Sequence, residues 1–308
     1  MAAMIETHGL TKSYGGKRGI AGVSLRVEER EVFGFLGPNG AGKTTTIRVL
    51  MALLRADAGT ARIAGLDCWE RSLEIKRLTG YVPGEPALDP NLTGGQILEY
   101  FAHLRGGVDR AHLKQLIERL ELDTGRKFRQ YSTGNKRKVV LIQAFMHRPR
   151  LLILDEPTNG LDPLNQQEFA LMVKEAREAG STIFLSSHVL GEVEQLCSRV
   201  GIIREGRLVR VGGVAEVKDI KHYEITITFA DSVPAEAFAR LDGVAGVEKM
   251  AGGHGLRIAM QGAPDALIKA AASFSILSLT SHEPSLEDIF LRYYEGDGVR
   301  AQEAHDVA

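Results

Sequence analysis

The fold of this chain is decided by one stretch, Gly37-Pro38-Asn39-Gly40-Ala41-Gly42-Lys43-Thr44-Thr45. It fits the pattern G-x-x-x-x-G-K-[ST], in which glycines let successive backbone N–H groups turn inward towards phosphate oxygens. Lys43 adds a positive charge for the outer phosphates, and the Thr44 hydroxyl is the usual magnesium ligand in such loops. The alternative is a glycine-rich turn that only connects two elements. The pattern predicts a nucleotide phosphate site formed by residues 37–45.

The segments around this loop support the phosphate-site interpretation. Residues 32–36 form a short apolar run that indicates a buried strand, and residues 45–51 have the pattern of a helix. A helix that begins at the loop adds the positive end of its dipole, which attracts anions. Upstream, residues 5–13 and 23–27 alternate between polar and apolar, so an antiparallel layer is expected before the loop.

Two acidic residues follow a second apolar run. Residues 151–154 are all Leu or Ile, and Asp155 and Glu156 come directly after them. Such a run predicts a buried parallel strand, and ligands bind at the carboxyl edge of parallel sheets. We expect Asp155 to hold Mg²⁺, usually through water, and Glu156 to orient or deprotonate the attacking water.

Two further side chains are candidates for the same site. His188 follows a third apolar strand, residues 182–187, so it can reach a phosphate at the same sheet edge. Tyr14 precedes Gly15-Gly16, where a turn would expose its ring. Its ring would then stack on a purine base or, alternatively, pack under the turn.

A helical insert is predicted between the two apolar strands, over about residues 85–148, because residues 93–104 and 109–120 have apolar side chains at helical spacing. Near its end, residues 131–136 form a polar turn that enters another helix. This turn is either a helix cap or a second phosphate contact. The three basic residues 136–138 predict a solvated helix face.

The remainder of the chain predicts a second domain. Residues 225–279 show the order strand, helix, strand, strand, helix, strand, which is typical of a split ferredoxin-like domain. We expect domain boundaries at 1–215 and 216–296, followed by a flexible tail at 297–308. A further helix is predicted from Ser285 to about Tyr294.

The composition is that of an ordinary globular protein. The chain has 308 residues, of which 44% are hydrophobic and 25% charged, and its net charge is −1. A broad basic surface is not expected, and neither is a nucleic-acid partner. The N-terminal residues lack the features of a signal peptide, no apolar run reaches the roughly 20 residues of a membrane span, and the two cysteines are isolated, so a cytosolic location is expected.

In this order, the motifs resemble those of the ATP-binding-cassette ATPases over about residues 4–215. The resemblance implies an α/β P-loop NTPase cassette that binds ATP and Mg²⁺. Residues 37–45 resemble the Walker A motif, and residues 151–156 resemble Walker B with Glu156 as the catalytic glutamate. His188 resembles the switch histidine, residues 160–162 with Asp162 resemble the D-loop, and Tyr14 stands at the adenine-stacking position.

The chain departs from the family pattern at two motifs. The family signature Leu-Ser-Gly-Gly-Gln falls on residues 131–135, where only Ser132 and Gly134 are retained. Since these are the groups that would face a partner's ATP, a working variant is expected. At the Q-loop the family has glutamine, whereas this chain has Gly84 followed by Glu85. Either Glu85 takes that role, or coupling to the partner works differently.

The resemblance also implies partners and a role. Family members sandwich ATP between two cassettes, so a homodimer or a pair with a sister subunit is expected. Pro149 and the C-terminal extension look most like the ATPase subunits of drug exporters, which act with a separate membrane permease at the cytoplasmic face of the cell membrane. The alternative is a soluble cassette that acts as an ATP-driven switch in translation, DNA repair or regulation.

Overall fold

The structure, a computed structural model, describes residues 3–15, 17–217, 222–250 and 253–282. It divides into two compact units, Met1–Val214 and Ala215–Ala308, which are described separately below. The helix predicted from Ser285 to Tyr294 and the tail predicted at 297–308 lie outside the described residues.

The first unit alternates strands and helices. In chain order its elements are β1 (Ala3–Tyr14), β2 (Lys17–Glu28), β3 (Val32–Leu36), α1 (Lys43–Leu50), β4 (Ala58–Ile63), β5 (Leu66–Asp67), α2 (Ser72–Leu78), β6 (Thr79–Val82), α3 (Gly94–Leu104), α4 (Arg110–Arg119), α5 (Thr133–Phe145), β7 (Leu151–Asp155), α6 (Pro163–Glu178), β8 (Thr182–Ser187), α7 (Leu190–Leu196), β9 (Arg199–Arg204), β10 (Arg207–Gly213) and α8 (Val214–Val217), which continues past the unit boundary.

These strands form two sheets. The order in the first is β2-β1-β4-β5, and all of its pairs are antiparallel, which confirms the predicted antiparallel layer. The order in the second is β10-β9-β3-β8-β7-β6, in which all pairs except β9 with β10 are parallel. The carboxyl ends of β3, β7 and β8 therefore meet at one edge, where the three predicted motifs follow them.

The central strands are buried throughout. Every residue of β3, β7 and β8 is buried, as expected for parallel strands that are covered on both faces. The rings of Phe33 and Phe184 stack with centroids 5.8 Å apart, and Phe35 lies 5.3 Å from Phe184. This packing makes the sheet edge a rigid base for the loops that follow it.

The helical insert is stabilised by side-chain caps that the sequence specifies. The Thr93 hydroxyl accepts a hydrogen bond from the Gln96 backbone N–H, and the Gln96 side chain accepts one from the Thr93 N–H, which is a complete capping box at the start of α3. Asp109 caps α4 in the same position. Ser132 caps α5 through the backbone N–H of Asn135. Such caps fix where each helix begins.

The second unit has the predicted ferredoxin-like order. Its elements are β11 (His222–Phe229), α9 (Glu236–Ala239), β12 (Val244–Lys249), β13 (Gly255–Gln261), α10 (Asp265–Ala271) and β14 (Ile276–His282). The sheet order is β12-β13-β11-β14, and every pair is antiparallel. The core contains Phe229, Phe238 and Phe274, whose ring centroids lie 5.8 to 5.9 Å apart. The split βαββαβ pattern is therefore confirmed.

Candidate nucleotide-hydrolysing site

The predicted phosphate loop connects β3 to α1. Gly42 lies at the N-terminal cap of α1 with φ of 109°, a backbone conformation that favours glycine. A Cβ at Gly37 would lie 2.4 Å from the backbone oxygen of Ile203, so only glycine fits there. The Lys43 side chain is 5% exposed and donates hydrogen bonds to the backbone oxygens of Gly37 (2.6 Å) and Pro38 (3.2 Å). The loop thus holds a buried positive charge at its centre.

A cavity of about 220 Å³ opens beside this lysine. It brings together most of the residues predicted to bind the nucleotide, and one acid from a different strand. The lining residues are Tyr14, Gly19, Pro38, Asn39, Gly40, Gly42, Lys43, Thr44, Thr45 and Glu156. Gly37 and the buried Ala41 belong to the backbone of the same loop. The grouping of these residues was predicted from the sequence, but their contact with a nucleotide stays a prediction.

The Tyr14 ring lies at the end of β1 and is 43% exposed. It packs over the Gly19 backbone, where a Cβ would lie 2.8 Å from the ring carbon Cε2. Because the ring lines the cavity and keeps an exposed face, it is able to stack on a purine base.

Glu156 follows β7 in an unusual conformation. Its φ is 49°, which is rare for a residue other than glycine and is concentrated at functional sites. Its backbone N–H donates to the Ser186 backbone oxygen at 3.1 Å, so the neighbouring strand fixes its position. The side chain, only 12% exposed, is directed towards the phosphate loop, where Oε1 lies 3.0 Å from Lys43 Nζ. That pair is an ion pair without hydrogen-bond geometry, since Oε1 has no hydrogen-bond partner among the described residues.

His188 completes this constellation from the end of β8. Its Nδ1 lies 2.7 Å from Glu156 Oε2, and its side chain is 39% exposed. Lys43 lies after β3, Glu156 after β7 and His188 after β8, and the sheet brings them together as predicted. A carboxylate held between a cation and an imidazole can accept a proton from water near a bound phosphate.

Asp155 is fully buried at the last position of β7. Its Oδ1 accepts a hydrogen bond from Ser186 Oγ at 2.6 Å, while Oδ2 has no hydrogen-bond partner among the described residues. A buried oxygen without a partner calls for an explanation, and a cation or its water would provide one. Oδ2 faces Gly84, where a Cβ would lie 3.1 Å away. This donor set fits Mg²⁺, which binds one or two carboxylates together with substrate phosphates.

Ser132, Gly134 and Asp162 do not line the Lys43 cavity of their own chain. Ser132 is exposed and caps α5, so the capped-helix interpretation is confirmed. A Cβ at Gly134 would lie 2.6 Å from the backbone oxygen of Gly160. The signature segment therefore packs closely against the D-loop segment at this point. Asp162 caps α6, and hydrogen bonds from the Asn165 backbone and side chain hold the pKa of Asp162 below its usual range.

The prediction of a solvated face at residues 136–138 was wrong for two of the three. Arg137 is 2% exposed and Lys138 is 7% exposed. The spacing indicates that Arg137 is buried, because the apolar Val140 and Leu141 lie three and four positions after it and share its helix face. Arg137 donates hydrogen bonds to the backbone oxygens of loops after β6 and β7.

Glu192 is a second residue that the sequence interpretation missed. Its carboxylate accepts hydrogen bonds from Thr158 Oγ1 and, at 2.9 Å, from Ser187 Oγ. It thereby joins the loop after Glu156 to the end of β8, next to His188. Its position in the first turn of α7, four residues after His188, is the signal that could have indicated it.

The two Q-loop candidates have different environments. Gly84 is half-buried beside Asp155, whereas the Glu85 side chain is exposed and does not line the Lys43 cavity. That Glu85 takes the role of the family glutamine therefore stays a prediction, and no contact of Glu85 with the cavity supports it.

Comparison with known proteins identifies both parts of the chain. Residues 20–159 match a family model described as "ABC transporter", and residues 212–294 match one described as "ATP-binding protein DrrA1-3-like, C-terminal domain". The chain is 41% identical to the daunorubicin resistance ATP-binding protein DrrA3 of Streptomyces coeruleorubidus, over 70% of this chain and 69% of that protein. It is 38% identical to the bacitracin transport ATP-binding protein BcrA of Enterococcus faecalis, over 70% of this chain and 71% of that protein.

A solved structure gives the same fold. The dimeric structure of MJ0796, a bacterial ABC transporter cassette, superimposes with a TM-score of 0.63 at 23% identity, over 68% of this chain and 98% of that chain. The alternative of a switch in translation or DNA repair is not favoured by these relatives. The chain belongs to the ATP-binding-cassette (ABC) transporter family and is one of its ATP-hydrolysing subunits.

Proposed function

We propose that this chain hydrolyses ATP to power the export of a drug, antibiotic or lipid-like molecule through a separate membrane permease. The observation that carries the proposal is the constellation of Lys43, Glu156 and His188 at one sheet edge. The names of the two relatives support the type of cargo, because one is a drug-resistance protein and the other a bacitracin transport protein.

In this proposal each of these side chains has its own task. Lys43 binds the outer phosphates, and in doing so its ammonium exchanges the Glu156 carboxylate and loop carbonyls for phosphate oxygens. Glu156 is then free to accept a proton from the attacking water. His188 donates a hydrogen bond to Glu156 Oε2 and so orients the carboxylate. Bound Mg²⁺ would neutralise charge on the phosphates, with Thr44 and Asp155 as the residues that would hold it.

The site requires a second cassette in this proposal. Ser132 and Gly134 lie at the start of α5 and outside the Lys43 cavity of their own chain, so the signature segment would serve the ATP of another copy. A two-fold dimer would place each signature segment against the other copy's phosphate loop, giving two equivalent sites. The dimeric state of the MJ0796 cassette supports this arrangement.

An apolar groove is proposed as the surface that receives the permease. This docking groove, about 530 Å³ in volume, is lined by Met51, Leu53, Leu73, Lys76, Arg77, Thr79, Tyr81, Pro83, Ala87, Leu88, Phe101, Leu104, Arg105, Val140 and Gln143. Leu53, Leu73 and Leu104 are each more than half exposed. Because Lys76 and Arg77 stand among these apolar side chains, we expect the occupant to be a short apolar helix of the permease that carries an acidic residue. Among the described residues, none of the helices combines the length and the hydropathy that a membrane span requires.

Membrane retention tests the exporter role. The tagged full-length chain is expressed in its own host, and washed membranes are solubilised to identify what remains bound to it. We expect an integral protein with several membrane spans, and a cytoplasmic-face location for the chain. Leu104→Asp should release the chain from membranes, while Leu171→Asp, which changes another leucine that is more than half exposed but lies on α6 outside the groove, should not. Recovery with ribosomes or DNA instead would favour the alternative class.

A further inference from the structure

Arg137 has contacts that the proposed mechanism does not use. It lies in the first half of α5, and its side chain is 2% exposed. Nη1 donates to the Pro83 backbone oxygen and Nη2 to the Gly84 backbone oxygen, both at 2.6 Å. Nε donates to the Asn159 backbone oxygen at 3.4 Å. A single guanidinium therefore joins the loop after β6 to the loop after β7.

The chemistry of the contact argues for positioning. A buried cation is ordinarily paired with a carboxylate, because an unpaired charge is costly to desolvate. The guanidinium of Arg137 instead donates three hydrogen bonds, one from each nitrogen, to backbone carbonyls of two loops, and its planar set of donors suits it to reach both loops. Burial lowers the pKa of Arg137, and the nearby carboxylates of Asp155 and Glu156 oppose that shift.

Both loops that Arg137 joins are functional in the proposal above. Pro83 lines the docking groove, as does Val140, which lies on α5 one turn after Arg137. On the other side, the Asn159 backbone N–H donates to the backbone oxygen of Glu156 at 3.3 Å. Contacts therefore run continuously from Pro83 in the docking groove through Arg137 and Asn159 to Glu156, the proposed general base.

We propose that Arg137 is a positioning residue that fixes the loop at Pro83–Gly84 to the loop at Asn159 and thereby holds Glu156 in the geometry needed for hydrolysis. Because Gly84 has no side chain, the loop after β6 is held through its carbonyls, and Arg137 supplies the donors. This proposal rests on the proposed function, because it takes Glu156 as the general base.

The test uses the purified full-length chain with MgATP. Arg137→Gln keeps a polar side chain but cannot donate to all three backbone oxygens, and Arg137→Lys keeps the positive charge. Arg129→Gln, at an exposed arginine in the same insert, is the control. Steady-state hydrolysis gives kcat, calorimetry gives the MgATP affinity, and hydrogen exchange follows peptides that cover residues 82–87 and 157–162.

For Arg137→Gln we expect kcat to fall by between about tenfold and a hundredfold, the cost of a misplaced catalytic group. The MgATP affinity should change by less than about twofold, since Arg137 does not line the Lys43 cavity. Both peptides should exchange faster together, Arg137→Lys should recover part of kcat, and Arg129→Gln should behave as wild type.

The proposal is overturned if kcat is unchanged, if only one of the two loops exchanges faster, or if exchange rises throughout the unit while kcat and affinity fall together, which would mean a structural role alone. Exchange also separates this proposal from the proposed function. A wild-type chain without ATPase activity would refute the proposed function. Faster exchange of both loops in Arg137→Gln would still support the role of Arg137 in holding them together, and unchanged exchange of both loops would still refute that role.

Discussion

Replacement of Glu156 by glutamine separates ATP binding from hydrolysis. The amide has the shape of the carboxylate and can still hydrogen-bond to His188 Nδ1, which lies 2.7 Å from Oε2. It cannot accept a proton from water, so hydrolysis should slow by about 10²- to 10⁴-fold, the contribution of a positioned general base. At 1.36 kcal/mol per tenfold, this is a barrier increase of about 3 to 5 kcal/mol.

The same substitution should not weaken nucleotide binding. In the free chain Glu156 Oε1 lies 3.0 Å from Lys43 Nζ, and glutamine removes that competing negative charge. The MgATP affinity measured by calorimetry should therefore be equal to or greater than that of wild type, while phosphate release is slow. Glu178→Gln is the matched control, because its exposed carboxylate on α6 lies outside the cavity and its loss should leave turnover unchanged. Wild-type turnover in Glu156→Gln, or an equal loss in Glu178→Gln, would refute the assignment.

Four other substitutions test separate parts of the account. Lys43→Ala should weaken MgATP binding by about 1.5 to 3 kcal/mol, the range for hydrogen bonds to charged groups, and unchanged affinity by calorimetry would count against the phosphate loop. Gly80→Ala should destabilise the fold by about 1 to 3 kcal/mol or more in chemical denaturation, because its Cβ would lie 2.1 Å from the Ala144 backbone oxygen. Gly191→Ala, where a Cβ meets open space within α7, should instead stabilise it by up to about 1 kcal/mol. Burial lowers the pKa of His147 to about 4, so the unfolded state binds its proton first as the pH falls below about 6.5, and the free energy of unfolding should decrease between pH 6.5 and 4. His147→Leu should remove up to about 3 kcal/mol of that decrease, and parallel pH curves for the two proteins would contradict the reasoning.

Local chemistry made the core of the site predictable. The phosphate loop needs glycines at fixed positions, and parallel strands deliver their carboxyl ends to one edge, so the order of motifs was enough to place Glu156 and His188 near Lys43. The ferredoxin-like order of the second unit followed from alternating apolar residues such as Ile225, Ile227 and Phe229. In both cases the signal lay within a few residues, as a fixed motif in the first and as an alternation of apolar residues in the second.

The contacts that the sequence did not reveal join residues distant along the chain. Arg137 meets Pro83 and Gly84 across more than 50 positions, and a basic triplet on a helix is in most proteins a solvated face. Glu192 joins Thr158 to Ser187 in the same way. Which polar side chain is buried between loops depends on how the loops pack, and a pattern within one element does not encode that packing.

The claim that two copies complete each other's sites is tested most directly by mixing two inactive variants. Lys43→Ala disables the phosphate loop, and Ser132→Arg blocks the signature segment at an exposed position. In a two-fold dimer of one variant with the other, one site combines an intact phosphate loop with an intact signature segment. The account predicts that mixing restores ATP hydrolysis well above that of either variant alone. A mixture as inactive as its components would contradict it.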